Sequence, residues 1–285
     1  MKFVVLVIFA KKMASHTVEE TAQIFVGMLE SDQDEVMARN LLMESIQTHG
    51  FEVCNTTRWN VLAYIGRYAG QTKWMETLHC ILESAHQADY ALNPNISDDV
   101  GATILWYMYY HSNMRGVKYL QTFFGEHLNW EVSPMHGGRC NGMTPLLVAC
   151  SRGEALLMHE AVRARANLYA HTPDGDTALH LAAMAGSIYT FRVMRHELTV
   201  MNPENPHTGT TPFELAILHK RYRLIEYMYN MFLERDEKVD YLTLQYRLQQ
   251  RLPSTMETKE LCMLLQAMML EKERVIKAWM RRNVD

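Results

Sequence analysis

Apolar and polar positions alternate along this chain in short helical blocks divided by turn residues. The sharpest block is TPDGDTALHLAAMAGS, residues 172–187. It reads as a turn, then a helix opened by Thr177, with Leu179, Ala182 and Ala183 on one face and Gly186 at its close. A helix this short is marginal in water and must draw stability from neighbours. Copies are present at a fixed spacing. Thr144 of CNGMTPLLVACSRGE lies 33 residues before Thr177, and Thr211 of HTGTTPFELAILHK lies 34 residues after it. Looser copies place Thr103 of DDVGATILWYMYYHSN 41 residues before Thr144, and Asn60 of RWNVLAYIGRYAG earlier still. Such a period marks a repeated supersecondary unit that cannot bury its apolar face alone.

The residue types at these offsets have physical reasons. Gly142, Gly175 and Gly209 supply the positive φ of a tight turn, and the Thr two residues later accepts a backbone N–H at a helix start. Pro145 and Pro212 occupy the first helical position, where a missing N–H costs nothing. Gly153 and Gly186 end the first helix of their units. Leu157, Met158 and Val162, and again Leu224, Ile225 and Met228, give the apolar stripe of a second helix.

TPLLVACSRG, TALHLAAMAG and TPFELAILHK resemble the ankyrin repeat, and RANLYAHTPDGDT resembles its connecting finger. The specific match covers residues 139–232. The resemblance implies an all-α solenoid of about five stacked helix-turn-helix units with capping helices at both ends. In that family the His of the T-P-L-H segment ties adjacent repeats. Here His180 keeps it while Trp106, Leu147 and Glu214 stand at the matching positions, so apolar stacking is expected to carry more of the hold. Lys220 replaces the helix-closing glycine, which marks the last repeat as atypical.

The remaining segments divide accordingly. Residues 17–50 read as two N-terminal capping helices, 51–232 as repeats and 233–285 as C-terminal capping helices, in one continuous array. Residues 1–16 form a tail whose apolar run, Phe3 to Ala10, is too short to span a bilayer. An extra strand or docked tail, a weak targeting segment, and a natural start at Met13 all remain open for it. Two insertions, QADYALNPNISDD and HLNWEVSPMHGGRCNG, lengthen the loops on the finger side, the second with an exposed-looking Trp130; binding and simple tolerance of length both account for them.

Composition narrows the function. With 48% hydrophobic residues the chain buries a substantial core. A formal net charge of −4 and no basic face argue against a protein held mainly by nucleic-acid phosphates. Cys54, Cys80, Cys140, Cys150 and Cys262 form no CxxC pair, which favours a reducing compartment, cytosol or nucleus. HEAVR at His159 and HELTV at His196 fail to complete H-E-x-x-H, and no GxxxxGK[ST], GxGxxG or GxSxG occurs. HGGRC has a thiol beside glycines but no identifiable His–carboxylate partner. We therefore expect no enzyme activity, cofactor, metal or small-molecule substrate.

The expectation is an adaptor or inhibitor that binds another protein. By resemblance, a regulator of a transcription factor in the manner of inhibitor-of-kappa-B proteins is one member of this class. The alternative is a substrate receptor of a ubiquitin ligase, for which YLTLQYRLQQRLPSTMETKELCMLLQ would recruit the ligase. Carried over from the ankyrin family residue by residue, the partner-binding positions are Trp59, Arg67 and Tyr68; Tyr110 and His111; Met143, Ser151 and Arg152; Asp174, Asp176 and Met184; and His207, Thr208 and His219. The row is rich in the Trp, Tyr and Arg that dominate interface energetics.

Overall fold

The structure is a computed structural model that describes residues 16–30, 35–57, 59–68, 74–134, 140–251 and 256–270. The tail read above, residues 1–12 included, falls outside the described residues apart from His16. These residues are all-α: among them are fourteen α-helices, and extended pairing is limited to one isolated bridge between His171 and Thr177. The chain folds into two compact units, residues 1–149 with 156–167 and residues 150–155 with 168–285.

The first unit holds α1 (Val18–Glu30), α2 (Glu35–His49), α3 (Val61–Tyr68), α4 (Met75–Gln87), α5 (Ile104–Tyr110), α6 (Met114–Phe124) and most of α8 (Ala155–Arg163). The chain passes from one unit to the other within α7 (Pro145–Arg152). The second unit holds α9 (Ala178–Ala185), α10 (Ile188–Met194), α11 (Pro212–Leu218), α12 (Tyr222–Glu234), α13 (Tyr241–Arg251) and α14 (Met256–Met269). Within each unit short first helices pack on one another, α3 on α5 and α9 on α11. Each later member is also paired with the helix that follows it, α5 with α6 and α11 with α12.

The expected starts are in place. Asn60 Oδ1 accepts Ala63 N–H at 2.9 Å, Thr103 Oγ1 accepts Trp106 N–H at 3.4 Å, Thr144 Oγ1 accepts Leu147 N–H at 3.4 Å and Thr211 Oγ1 accepts Glu214 N–H at 3.2 Å. Each cap satisfies one of the backbone donors a helix leaves open at its first turn. The ends recur too, in a left-handed residue just beyond the first helix: Ser112 at φ 55°, Gly153 at 69°, Gly186 at 82° and Lys220 at 54°. The absence of glycine at Lys220 thus leaves the turn unchanged, and the strain is carried by a lysine.

A second periodic feature escaped the sequence reading. Asn55 Oδ1 accepts Asn93 N–H at 3.1 Å, Asn95 Oδ1 accepts Asn129 N–H at 2.8 Å, and Glu131 Oε1 accepts Asn167 N–H at 2.9 Å, so the loops of the first unit are laddered together. Asn93 and Asn129 pass the ladder on within their own loops, accepting Asn95 N–H at 3.0 Å and Glu131 N–H at 2.9 Å. The described parts of the insertions are thus tied into the unit. Trp130 corrects the expectation of exposure: it is 8% exposed and sets its ring edge-on to Tyr109, centroids 5.7 Å apart.

Candidate functional site

None of the fourteen expected partner-binding residues is buried. Six lie in the first unit (Trp59, Arg67, Tyr68, Tyr110, His111, Met143), and eight in the second (Ser151, Arg152, Asp174, Asp176, Met184, His207, Thr208, His219). Each group is held by a different chemistry.

In the first unit aromatic contact dominates. Trp59 lies 6.0 Å from Tyr64, which stacks on Tyr68 at 6.5 Å, both from α3. On α5 Trp106 stacks on Tyr110 at 5.2 Å and Tyr107 on His111 at 6.3 Å, while Tyr110 meets His111 edge-on at 5.2 Å. Offset and edge-on pairs of this kind are worth about 0.5–1.5 kcal/mol beyond the area they bury. Gly66 lets α3 and α5 approach closely; a Cβ there would stand 3.1 Å from Ile104 Cα and Tyr107 Cβ.

Charge fixes the strip. The Arg67 guanidinium lies 5.7 Å from the ring centres of both Tyr64 and Tyr68. Its Nη1 pairs with Asp99 at 2.7 Å and with the fully buried Asp98 carboxylate at 3.4 Å. Asp98 in turn accepts the N–H groups of Val100 and Ala102 at 3.1 and 3.0 Å and the Tyr107 hydroxyl at 2.7 Å. Burial, reinforced by that bond to Asp98, pushes the Tyr107 phenol far above its ordinary range, and burial with the nearby Asp99 charge does the same for Tyr64. Both therefore remain hydroxyl donors at any physiological pH. His111 Nε2–H donates to Arg67 C=O at 3.0 Å, and Trp106 Nε1–H donates to Met143 C=O at 2.8 Å. The result is a pre-ordered aromatic strip whose buried rings back the half-buried Trp59, Tyr68, Tyr110 and His111.

In the second unit the turn residues are organised by Asn205. Its Nδ2 donates to Asp174 C=O at 2.9 Å and Asp176 Oδ1 at 2.7 Å, and its Oδ1 accepts the N–H groups of His207 and Thr208 at 2.8 and 3.1 Å. Gly175 is required here by φ 85° and by space, since a Cβ would come within 2.5 Å of His207 Cδ2. Met184 gives its carbonyl to Arg221 Nε–H at 2.8 Å. Asp174, His207, Thr208, His219 and Arg152 are exposed. These are polar turn and helix-end residues without the aromatic content of the first unit.

At three of the four T-P-L-H positions a polar tie is present beside the apolar stacking. His180 Nδ1 accepts Thr177 N–H at 3.1 Å while its Nε2–H donates to Thr210 C=O at 3.0 Å. Trp106 makes its tie through the indole N–H, as above, and the buried Glu214 carboxylate accepts Arg251 Nη1–H at 2.9 Å. Sequence reasoning missed Tyr64, Tyr107, Asp98 and Asp99 as the frame of the surface. The aromatic run ILWYMYY preceded by Asp-Asp was the available signal.

Two hollows lie elsewhere in the first unit, about 930 Å³ beside Lys118, Trp130 and Arg163 and about 480 Å³ beside His86, Tyr90 and Phe123. Neither is lined by any of the fourteen residues. Among the described residues no group of three or more His, Cys, Asp or Glu could hold a metal ion, and no helix is long and apolar enough to cross a membrane. No family model matches the chain, and no curated protein matches it either.

Proposed function

We propose that this chain is a non-enzymatic protein-binding module, an ankyrin-type repeat array acting as an adaptor or inhibitor in the cytosol or nucleus. The repeated caps, left-handed closures and loop ladder are what such an array needs. The reading of function rests on one observation: Trp59, Arg67, Tyr68, Tyr110 and His111 belong to a pre-ordered aromatic and cationic strip in the first unit. Such residues supply large contact area at low entropic cost, the profile of an interface centre. Retention of a transcription factor, as inhibitor-of-kappa-B proteins do, is one form this role takes.

Capture from cells of the source, with mass spectrometry, tests the proposal. Wild-type protein should retain a protein partner that Tyr68→Ala/Tyr110→Ala loses and Leu156→Ala keeps, Leu156 being an exposed residue of α8. Equal capture by all three would move binding away from the strip. The alternative, a ubiquitin-ligase substrate receptor, is favoured by the exposure of Leu242, Tyr246 and Met263 on α13 and α14, at 64–66%. It requires that a cullin-linked adaptor co-purify with the full chain and be lost from Leu242→Ser/Tyr246→Ser.

A further inference from the structure

Glu214 is a carboxylate on α11 with no exposed side-chain surface. Its cations come from α13: Arg251 at 2.9 Å from Oε1 and Arg247 at 3.6 Å from Oε2. Arg247 also donates to Gly209 C=O and lies 3.6 Å from Glu204. The fit is incomplete, because Glu214 Oε2 is buried without a hydrogen bond. Ionised oxygens removed from water normally have their donors, and an unmade bond to one is costly.

Apolar burial does little to compensate. Of the eleven residues of α13 only Leu244 and Leu248 are buried, while Leu242 and Tyr246 are 65% and 64% exposed. One further contact comes from Tyr241, edge-on to Phe213 at 6.3 Å. By contrast α14 buries Leu261, Leu264, Leu265, Ala267 and Met268. Helix α13 packs more extensively on α14 than on α11, and its polar ties to α11 are two arginines one helical turn apart, each 29–39% exposed and within reach of water and salt.

We propose that the surface of α11 around Glu214 is a docking site for an amphipathic helix bearing two arginines four residues apart, and that α13 is its resident, displaceable occupant. The site presents a buried carboxylate, a second acidic residue, the Gly209 carbonyl and the Phe213 ring. A partner helix with Arg and Leu at i and i+4 supplies the complement, and one that also reaches Oε2 binds better than α13 does.

The test uses the full chain and a fluorescent synthetic peptide of residues 238–252. Arg247→Glu/Arg251→Glu should free the site, so that the peptide binds this variant at least tenfold more tightly than it binds wild type. The same peptide with both arginines changed to glutamate should bind neither. In wild type, hydrogen exchange of α13 amides should quicken at least fivefold between about 0.1 and about 1 M salt, where screening shortens from about 10 to about 3 Å, while α9 amides stay unchanged. Equal peptide binding by the two proteins, salt-independent exchange of α13, or loss of all helical signal in the double variant would each overturn the proposal, the last by making α13 integral to the fold.

Discussion

The pair α9–α11 and the pair α3–α5 solve one problem with different residues. In α9 the faces are small, Ala178, Ala182 and Ala183 all buried, and one neutral histidine ties Thr177 to the Thr210 loop. In α3 and α5 the faces are large, Tyr64, Trp106, Tyr107 and Tyr109 all buried, and the loop is tied by Arg67 on Asp98 and by an indole N–H. Backbone geometry is kept in both: the cap bonds at Asn60 and Thr103 match that at Thr211. The geometry of a repeat thus constrains where a polar tie is needed more tightly than which residue makes it. Where the tie is aromatic and ionic, its buried members back the half-buried Trp59, Tyr68, Tyr110 and His111.

The largest effect should come from the ionic tie. Arg67→Met strips the cation from a buried aspartate and should cost about 3 kcal/mol, read by chemical denaturation. Loss below about 1 kcal/mol would mean that the backbone N–H groups and Tyr107 alone hold Asp98. Next, His180→Ala leaves Thr210 C=O and Thr177 N–H without their side-chain partner and should cost about 2 kcal/mol.

The same histidine gives the second unit a pH dependence. Burial lowers the His180 pKa from 6.5, outweighing its bond to Thr210, so the folded state holds it neutral. The unfolded chain binds the extra proton near pH 6.5; stability is therefore full above that pH and falls as the pH drops below it. Denaturation of wild type and His180→Gln from pH 7.5 to 5 should show a steeper loss in wild type, and parallel curves would contradict the assignment.

Trp106→Phe keeps a ring but removes the donor to Met143 C=O and should cost about 1 kcal/mol. Smallest is a gain. Ser112→Gly and Lys220→Gly relieve left-handed strain, offset in part by greater freedom of the unfolded chain, and each should raise stability by about 0.5 kcal/mol. A loss at either would show that its side chain contributes more than its backbone costs.

What was legible in the sequence follows the same division. The α9–α11 pair was readable because glycine, proline and threonine report backbone requirements directly, as at Gly175 and Thr211. The α3–α5 pair was legible only loosely, because tyrosines and tryptophans report packing partners that lie far along the chain. Trp130 looked exposed for that reason, since its partner Tyr109 is 21 residues earlier. The asparagine ladder was hidden because asparagine in a loop reads as turn chemistry; only its recurrence at 55, 93, 129 and 167 carries the signal. Of the candidate surface, the repeat register named positions that are half-buried or exposed, while the Asp98 and Asp99 frame depended on a fold not yet in view.

On the proposed function, partner contact should fall on the aromatic strip of the first unit and not on the polar turn residues of the second. The most direct measurement is the affinity of the captured partner for Tyr68→Ala/Tyr110→Ala beside Asp174→Ala/His207→Ala, with thermal melting of each. The strip variant should lose at least tenfold in affinity, about 1.4 kcal/mol, while still melting cooperatively, at a temperature lowered by the ring contacts it gives up, and the second-unit variant should lose less. Full affinity in a folded strip variant would contradict the central claim.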